Sequence, residues 1–260
     1  MVSYPNAKIN LGLRVLRRRT DGFHDIETVM FPVHGLCDTL EVLQRCESQI
    51  ESEPWYTTYN DKLIDTGPEP KMIDKLAFFQ SGVPDDLMPE NNLCVTAFKM
   101  YCEAIGVDLE YHIQLIKGVP AGAGLGGGSS DAAFVLKMMN ELNGHKLQSE
   151  HLEEMAVRLG SDCPFFIRNE PVVARGRGEV MSPLRLRLEG MYMVVLDPGI
   201  HVNTAAAYSS ITPSDHSGNM PSDIVHRPVS EWKDLLVNDF EPSLFKDHPV
   251  LSEMKKALYS

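Results

Sequence analysis

The chain has 260 residues, 43% of them hydrophobic and 23% charged, the balance of a water-soluble globular protein with one large core or two modest ones. Thirty-six acidic against 24 basic side chains leave a formal charge of -12, which argues against a nucleic-acid backbone or an anionic membrane surface as partner. No apolar run approaches the ~18 residues of a membrane span, the N-terminus has no signal-peptide core, and the five cysteines are scattered without a C-x-x-C, so a cytoplasmic chain with reduced thiols and no zinc site is expected.

Apolar alternation or apolar runs predict strands near 8–16, 26–33 and 38–43. Lys8, flanked by small and apolar residues, reads by itself as an edge-strand charge. Arg14, Arg17, Arg18 and Arg19 lead into Thr20-Asp21-Gly22, the composition of a solvated hairpin tip that can also steer an anion. From Glu51 to Met88 the sequence reads as a long irregular insertion, with Trp55, Tyr56 and Tyr59 close together. A helix is predicted over 92–104, where Cys94, Ala97, Phe98, Tyr101 and Cys102 share one face suited to core packing. A strand is predicted over 109–116.

The most informative stretch follows: Gly118, Val119, Pro120, Ala121, Gly122, Ala123, Gly124, Leu125, Gly126, Gly127, Gly128, Ser129 and Ser130, with a helix predicted over 129–142. So many small residues ahead of a helix permit close backbone approach, and the helix adds unpaired N–H donors and the positive end of its dipole, so a phosphate can bind without a lysine in the loop. Gly122, Gly124 and Gly127 satisfy G-x-G-x-x-G, but a dinucleotide fold would next need a second strand ending in an acid. The sequence instead runs through Asn143-Gly144 into a second helical pattern over 149–159, marked by Leu152, Met155, Ala156 and Leu159. No Gly-Lys-Ser/Thr closes the loop, the protein-kinase motifs are not found, and a mere flexible linker is disfavoured by the strand before and the helix after.

Asp162 stands in Leu159-Gly-Ser-Asp-Cys-Pro-Phe-Phe166, where it fits either the N-cap of a short helix or a catalytic carboxylate. A hairpin is predicted over 171–181 around Gly176-Arg-Gly178, then a buried strand over 190–196 entering a helix near Thr204, and an exposed, breaker-rich loop over 212–230. Strands, then helices, then a further αβ unit give an α+β fold, divided as 1–173 and 174–260. Phosphoryl transfer needs a phosphate cradle, a cation and a carboxylate, and the loop, Lys8 and Asp162 supply candidates for each.

Taken together, Pro5-Asn-Ala-Lys-Ile-Asn-Leu-Gly12, Asp21-Gly-Phe-His24, Pro89-Glu-Asn-Asn-Leu93, the loop over 120–133, Leu159-Gly-Ser-Asp-Cys-Pro-Phe165 and Asn238-Asp-Phe-Glu241 resemble the GHMP-type small-molecule kinases. The resemblance runs from Tyr4 to the last residues and explains 51–88 least. It implies a two-domain GHMP kinase fold, with an N-terminal domain like domain 2 of ribosomal protein S5 and a ferredoxin-like C-terminal domain. It implies ATP and Mg²⁺, and, within the family, phosphorylation of the 2-hydroxyl of 4-diphosphocytidyl-2-C-methyl-D-erythritol by a monomer or homodimer. Other members act on mevalonate, homoserine or a sugar, and a nucleotide-binding fragment without activity is a further alternative.

By the same resemblance, Asp162 matches the general base and Lys8 the cation beside it. Residues 122–130 match the phosphate loop, with a hydroxyl of Ser129 or Ser130 on phosphate or Mg²⁺, and Asn92 and Lys117 match positions near the adenosine. Phe23, His24 and Tyr208 match the residues around the cytosine, Asn10 matches a group on the diphosphate or erythritol, and Thr204 lies in the same segment as Tyr208. The family carries a further glycine- and serine-rich loop near its C-terminus, whereas this sequence stops at Met254-Lys-Lys-Ala-Leu-Tyr-Ser260, so an incomplete C-terminal domain is expected.

Overall fold

The computed structural model describes residues 1–44, 56–59, 62–65, 71–82, 89–106, 108, 110–200, 208, 211, 213 and 220–260. In chain order they form β1 (Val2–Ser3), β2 (Asn6–Arg18), β3 (His24–Cys37), β4 (Thr39–Gln44), β5 (Tyr56–Tyr59), β6 (Lys62–Asp65), β7 (Lys71–Ile73), β8 (Leu76–Gly82), α1 (Leu93–Ile105), β9 (Tyr111–Lys117), α2 (Gly127–Leu142), α3 (Ser149–Leu159), α4 (Cys163–Arg168), β10 (Val172–Gly176), β11 (Val180–Pro183), α5 (Pro221–Ile224), α6 (Val229–Leu235), α7 (Glu241–Asp247) and α8 (Pro249–Leu258). The architecture is α+β. The chain forms two compact units, one of residues 1–7, 33–121 and 125–168, the other of 8–32, 122–124 and 169–260.

The first unit is built on a five-stranded sheet in the order β1-β4-β9-β8-β7. β8 and β9 are parallel and therefore need a crossover, which α1 supplies. Asn92 starts α1 by accepting the N–H of Cys94 at 2.9 Å, and Gly106 ends it in the left-handed conformation at φ 66°. α2 is buried on nearly every side, from Ser130 through Ala132, Ala133, Val135, Leu136 and Met139, so it is the central helix of this unit. β8 falls inside the stretch expected to be irregular. Its apolar run Leu76-Ala77-Phe78-Phe79 is wholly buried between β7 and β9, and a strand covered on both faces has no alternation to betray it. Short strands β5 and β6 also lie in that stretch, paired with each other, while Trp55 and Cys46 fall outside the described residues.

The second unit carries a four-stranded antiparallel sheet in the order β11-β10-β3-β2, with Val173 opposite Val29. Leu13, Val15 and Ile26 pack with Tyr208, Ile211 and Phe240, and Val29, Val173 and Val225 pack with Trp232 and Leu236. Asn238 bridges to Leu13 in parallel, and Asp239 accepts the N–H of Val15 at 2.8 Å while ion-pairing with Arg14 at 3.0 Å. Two expectations fail here. The C-terminal part of the loop expected over 212–230 holds α5 and the start of α6: proline at the first helical position begins α5, and Pro221, Ile224 and Val225 are buried. Conversely, 190–196 is neither a strand nor buried, Tyr192 being 99% exposed, because among the described residues no strand pairs with it to satisfy its backbone. The start of the helix expected near Thr204 lies outside the described residues. Among those residues no helix is long and apolar enough to cross a membrane.

Candidate active site

The glycine loop leaves β9 at Lys117 and enters α2 at Gly127. Gly122, Gly124 and Gly126 take φ of 72°, 73° and 73°, a conformation that a side chain would strain, and Gly126 occupies the N-cap of α2 with no side-chain cap. Among the described residues, the helix thus begins with N–H donors that no side chain caps. Among the described residues, a Cβ on Gly124 or Gly128 would meet nothing within 4 Å, so the backbone there is uncovered by them. Ser130 Oγ is buried with no hydrogen-bond partner among the described residues. Uncapped donors, bare backbone and an orphaned hydroxyl fit an anion such as the polyphosphate of ATP.

Under this loop lies a cluster of which the sequence reading picked out only Lys117, as a position near the adenosine. Asp38, just before β4, accepts the N–H groups of Gly118 at 2.5 Å and Val119 at 2.7 Å with one oxygen, and the ammonium of Lys117 with the other. Lys117 Nζ also donates to Asp131 Oδ2 on α2 at 2.7 Å. All three side chains are buried. Burial pushes the Asp131 carboxyl well above the usual carboxylate range against the pull of Lys117, and burial pushes Lys117 down but Asp131 and Asp38 more than offset it, leaving it raised. A Cβ on Gly127 would come within 3.3 Å of Lys117 Nζ, so the ammonium sits directly beneath the start of α2. The only sequence signal was two aspartates in otherwise apolar or small-residue surroundings.

In the same unit, Asn92 donates to Gln80 Oε1 at 2.7 Å besides capping α1. Asp162 occupies the turn immediately before α4, half-buried. Its neighbour Cys163 is pushed up to about 11 by burial, despite a hydrogen bond with the Ser129 side chain in the first turn of α2. That contact joins the turn carrying Asp162 to the helix that follows the glycine loop.

The second unit holds Lys8, Asn10, Phe23, His24 and Tyr208. β2 is an edge strand, yet Lys8 is buried, and its Nζ donates to Asn10 Oδ1 at 2.6 Å. Asn10 donates in turn to Thr28 Oγ1 at 2.9 Å, and Thr28 to the carbonyl of Gly12 at 2.6 Å, so β3 holds the pair in place. His24 stacks on Tyr208 with centroids 5.3 Å apart and planes at 15°, and Phe240 meets Tyr208 edge-on at 4.8 Å. Phe23 is exposed, with Arg177 over its ring. Asn10 also borders a cavity of about 850 Å³ in this unit, beside Gly12, Trp232 and Asn238. Thr204 lies outside the described residues.

The family model of the GHMP kinases N terminal domain matches residues 92–170. The chain is 40% identical over 260 residues to 4-diphosphocytidyl-2-C-methyl-D-erythritol kinase of Azobacteroides pseudotrichonymphae genomovar. CFP2, covering 100% of this chain and 86% of that protein. It is 42% identical over 262 aligned positions to the kinase of the same name from Bacteroides fragilis, covering 100% of this chain and 85% of that protein. Among solved structures, a crystal structure of 4-(cytidine 5'-diphospho)-2C-methyl-D-erythritol kinase superposes with a TM-score of 0.70 at 29% identity, over 98% of this chain and 81% of that one.

Proposed function

The chain belongs to the GHMP kinases, in their 4-diphosphocytidyl-2-C-methyl-D-erythritol kinase branch, and from that membership we propose how its residues divide the work. The activity is ATP-dependent phosphorylation of 4-diphosphocytidyl-2-C-methyl-D-erythritol, a step of the non-mevalonate route to isoprenoid precursors. The observation that carries the assignment is identity of about 40% along the entire chain, joined to a loop of left-handed glycines opening an uncapped helix.

In this proposal the backbone N–H groups of 122–130 hold the ATP phosphates. Pro120, Ala121, Ala123 and Leu125 shape the loop, and Asn92 and Lys117 lie on the adenosine side. Asp162 takes the proton of the 2-hydroxyl as it attacks the γ-phosphoryl group, work that contributes ~10²–10⁴-fold in rate. Lys8 counters the charge of the transferring group, its ammonium steadied by Asn10. Mg²⁺, when bound, neutralises phosphate charge, and Ser129 or Ser130 lends it or the phosphate a hydroxyl. Phe23 and Tyr208 flank the cytosine, His24 hydrogen-bonds its polar edge, and Thr204 and Asn10 attend the rest of the substrate. The domain boundary is proposed near 173, the working form as a monomer or homodimer, and the location as the cytoplasm.

The test is transfer of labelled γ-phosphoryl from ATP to 4-diphosphocytidyl-2-C-methyl-D-erythritol, run beside mevalonate, homoserine and galactose. Label is expected in the cytidyl substrate alone. Label in another acceptor makes the chain a different GHMP kinase, and nucleotide binding without transfer to any of them removes the activity.

A further inference from the structure

Phe23 is a large apolar ring, 53% exposed, at the tip of the β2–β3 hairpin. Its backbone is fixed from both sides: its N–H donates to Asp21 Oδ1 at 3.1 Å, and its carbonyl accepts the N–H of Arg19 at 2.8 Å. Two nearby cations point to carboxylates of the same hairpin, since Arg19 ion-pairs with Asp21 and Asp25 at 3.0 Å each and Arg17 pairs with Asp25. Arg177 also has an acidic neighbour, Glu179, yet it lies over the ring. Its guanidinium carbon lies 4.8 Å from the centroid of the Phe23 ring, in the range of a cation–π contact.

The turn that presents Arg177 is specialised for it. Gly176 and Gly178 flank it at φ 67° and 111°, and Glu179 accepts the N–H of Arg177 at 2.5 Å while standing 3.6 Å from its Nε. A Cβ on Gly176 would come within 2.9 Å of the Glu179 carboxylate, so the hairpin closes this tightly only with glycine there. A flat guanidinium on a short, held turn lies over the ring, and the ring keeps half of its surface exposed for a second flat group. A lysine would bring the charge without the plane.

Resting on the reading of Phe23 as the base-stacking residue, we propose that Arg177 is the positioning residue that backs Phe23 and thereby sets how tightly the cytidyl end of the substrate is held. A ring fixed before binding costs less to order when the base arrives, so the effect belongs in substrate affinity rather than in phosphoryl transfer.

Steady-state kinetics of Arg177→Ala, Arg177→Lys, Phe23→Ala and the Ala/Ala double variant test this. Arg177→Ala is expected to raise KM for the cytidyl substrate about fivefold, the scale of one exposed cation–π contact, with kcat, KM for ATP and melting temperature nearly unchanged. Arg177→Lys is expected to recover part of the loss. On a Phe23→Ala background, removing Arg177 is expected to add nothing, because the ring it backs is gone. Undisturbed KM in Arg177→Ala alongside a raised KM in Phe23→Ala overturns the role of Arg177 alone, as do independent, multiplying effects of the two. Undisturbed KM in Phe23→Ala overturns the base-stacking reading and the proposal with it.

Discussion

Lys117 Nζ stands 2.7 Å from Asp131 Oδ2, closing a buried ion pair between the last residue of β9 and the second turn of α2. Everything between the two is the glycine loop. Asp38 grips the same ammonium and the first two N–H groups of the loop, so both ends of the proposed phosphate loop are tied from below.

Removing the ammonium leaves two buried acidic side chains without their cation. Lys117→Met is expected to destabilise the fold by about 3–5 kcal/mol. Asp131→Asn leaves Lys117 with Asp38, one charge against one, and costs less. Because burial holds the Asp131 carboxyl above its unfolded range, its contribution to stability is complete below that range and is lost as pH rises toward the folded value. Denaturation of Asp131→Asn and the parent at about pH 5 and about pH 8 is therefore expected to show the variant gaining on the parent with pH. A parent that gains on the variant refutes the assignment.

Asp162→Asn preserves shape and removes the proposed base. Turnover is expected to fall by ~10²–10⁴ while KM for ATP holds. The thiol next to it cannot substitute, since Cys163 is pushed up to about 11 and stays protonated at neutral pH. Near-normal turnover would take Asp162 out of its role.

Gly128 separates folding from ligand binding. It lies in the first turn of α2 with nothing within 4 Å of a built Cβ, so Gly128→Ala is expected to raise the stability of the protein alone by ~0.5–1 kcal/mol. If phosphate approaches that backbone, the same methyl raises KM for ATP by roughly tenfold, the equivalent of ~1.4 kcal/mol. Gly124→Ala, at φ 73°, is expected to lose on both counts. Thermal melts and ATP titration of the two variants check the contrast.

In the second unit, Glu27 is a buried carboxylate on β3 that accepts Arg175 Nε at 2.8 Å and Ser222 Oγ at 2.7 Å. Ser222→Ala is expected to cost ~1 kcal/mol and Glu27→Gln ~1.5–3 kcal/mol. The double variant should cost less than the sum, since both break one network; urea denaturation of the three variants measures the coupling.

The regular elements around the loop were legible because their faces differ. α1, α3 and β4 each show one buried side, and alternation or helical spacing gives that away. β8 hid because both its faces are covered, and α5 hid because Pro221-Ser222-Asp223 has the composition of a loop while Ser222 is in fact spent on Glu27. The stretch 190–196 misled in the opposite direction: an apolar run declares a strand, but only a neighbour makes one. At the site, the glycines were readable since their chemistry is local. Asp38 and Asp131 were not, since what matters about them is a lysine brought between them from β9.

Asp38 reaches Lys117, Gly118 and Val119 across 79, 80 and 81 residues of sequence. Closing the chain over that span costs more entropy than a contact between near neighbours. The glycine loop therefore owes its form to a residue far along the chain and not to its own residues alone. A nucleotide that binds the folded loop and not the unfolded chain protects the fold by mass action, by ~2.7 kcal/mol at a hundredfold excess over Kd, so the melting temperature of this kinase is expected to rise with ATP concentration.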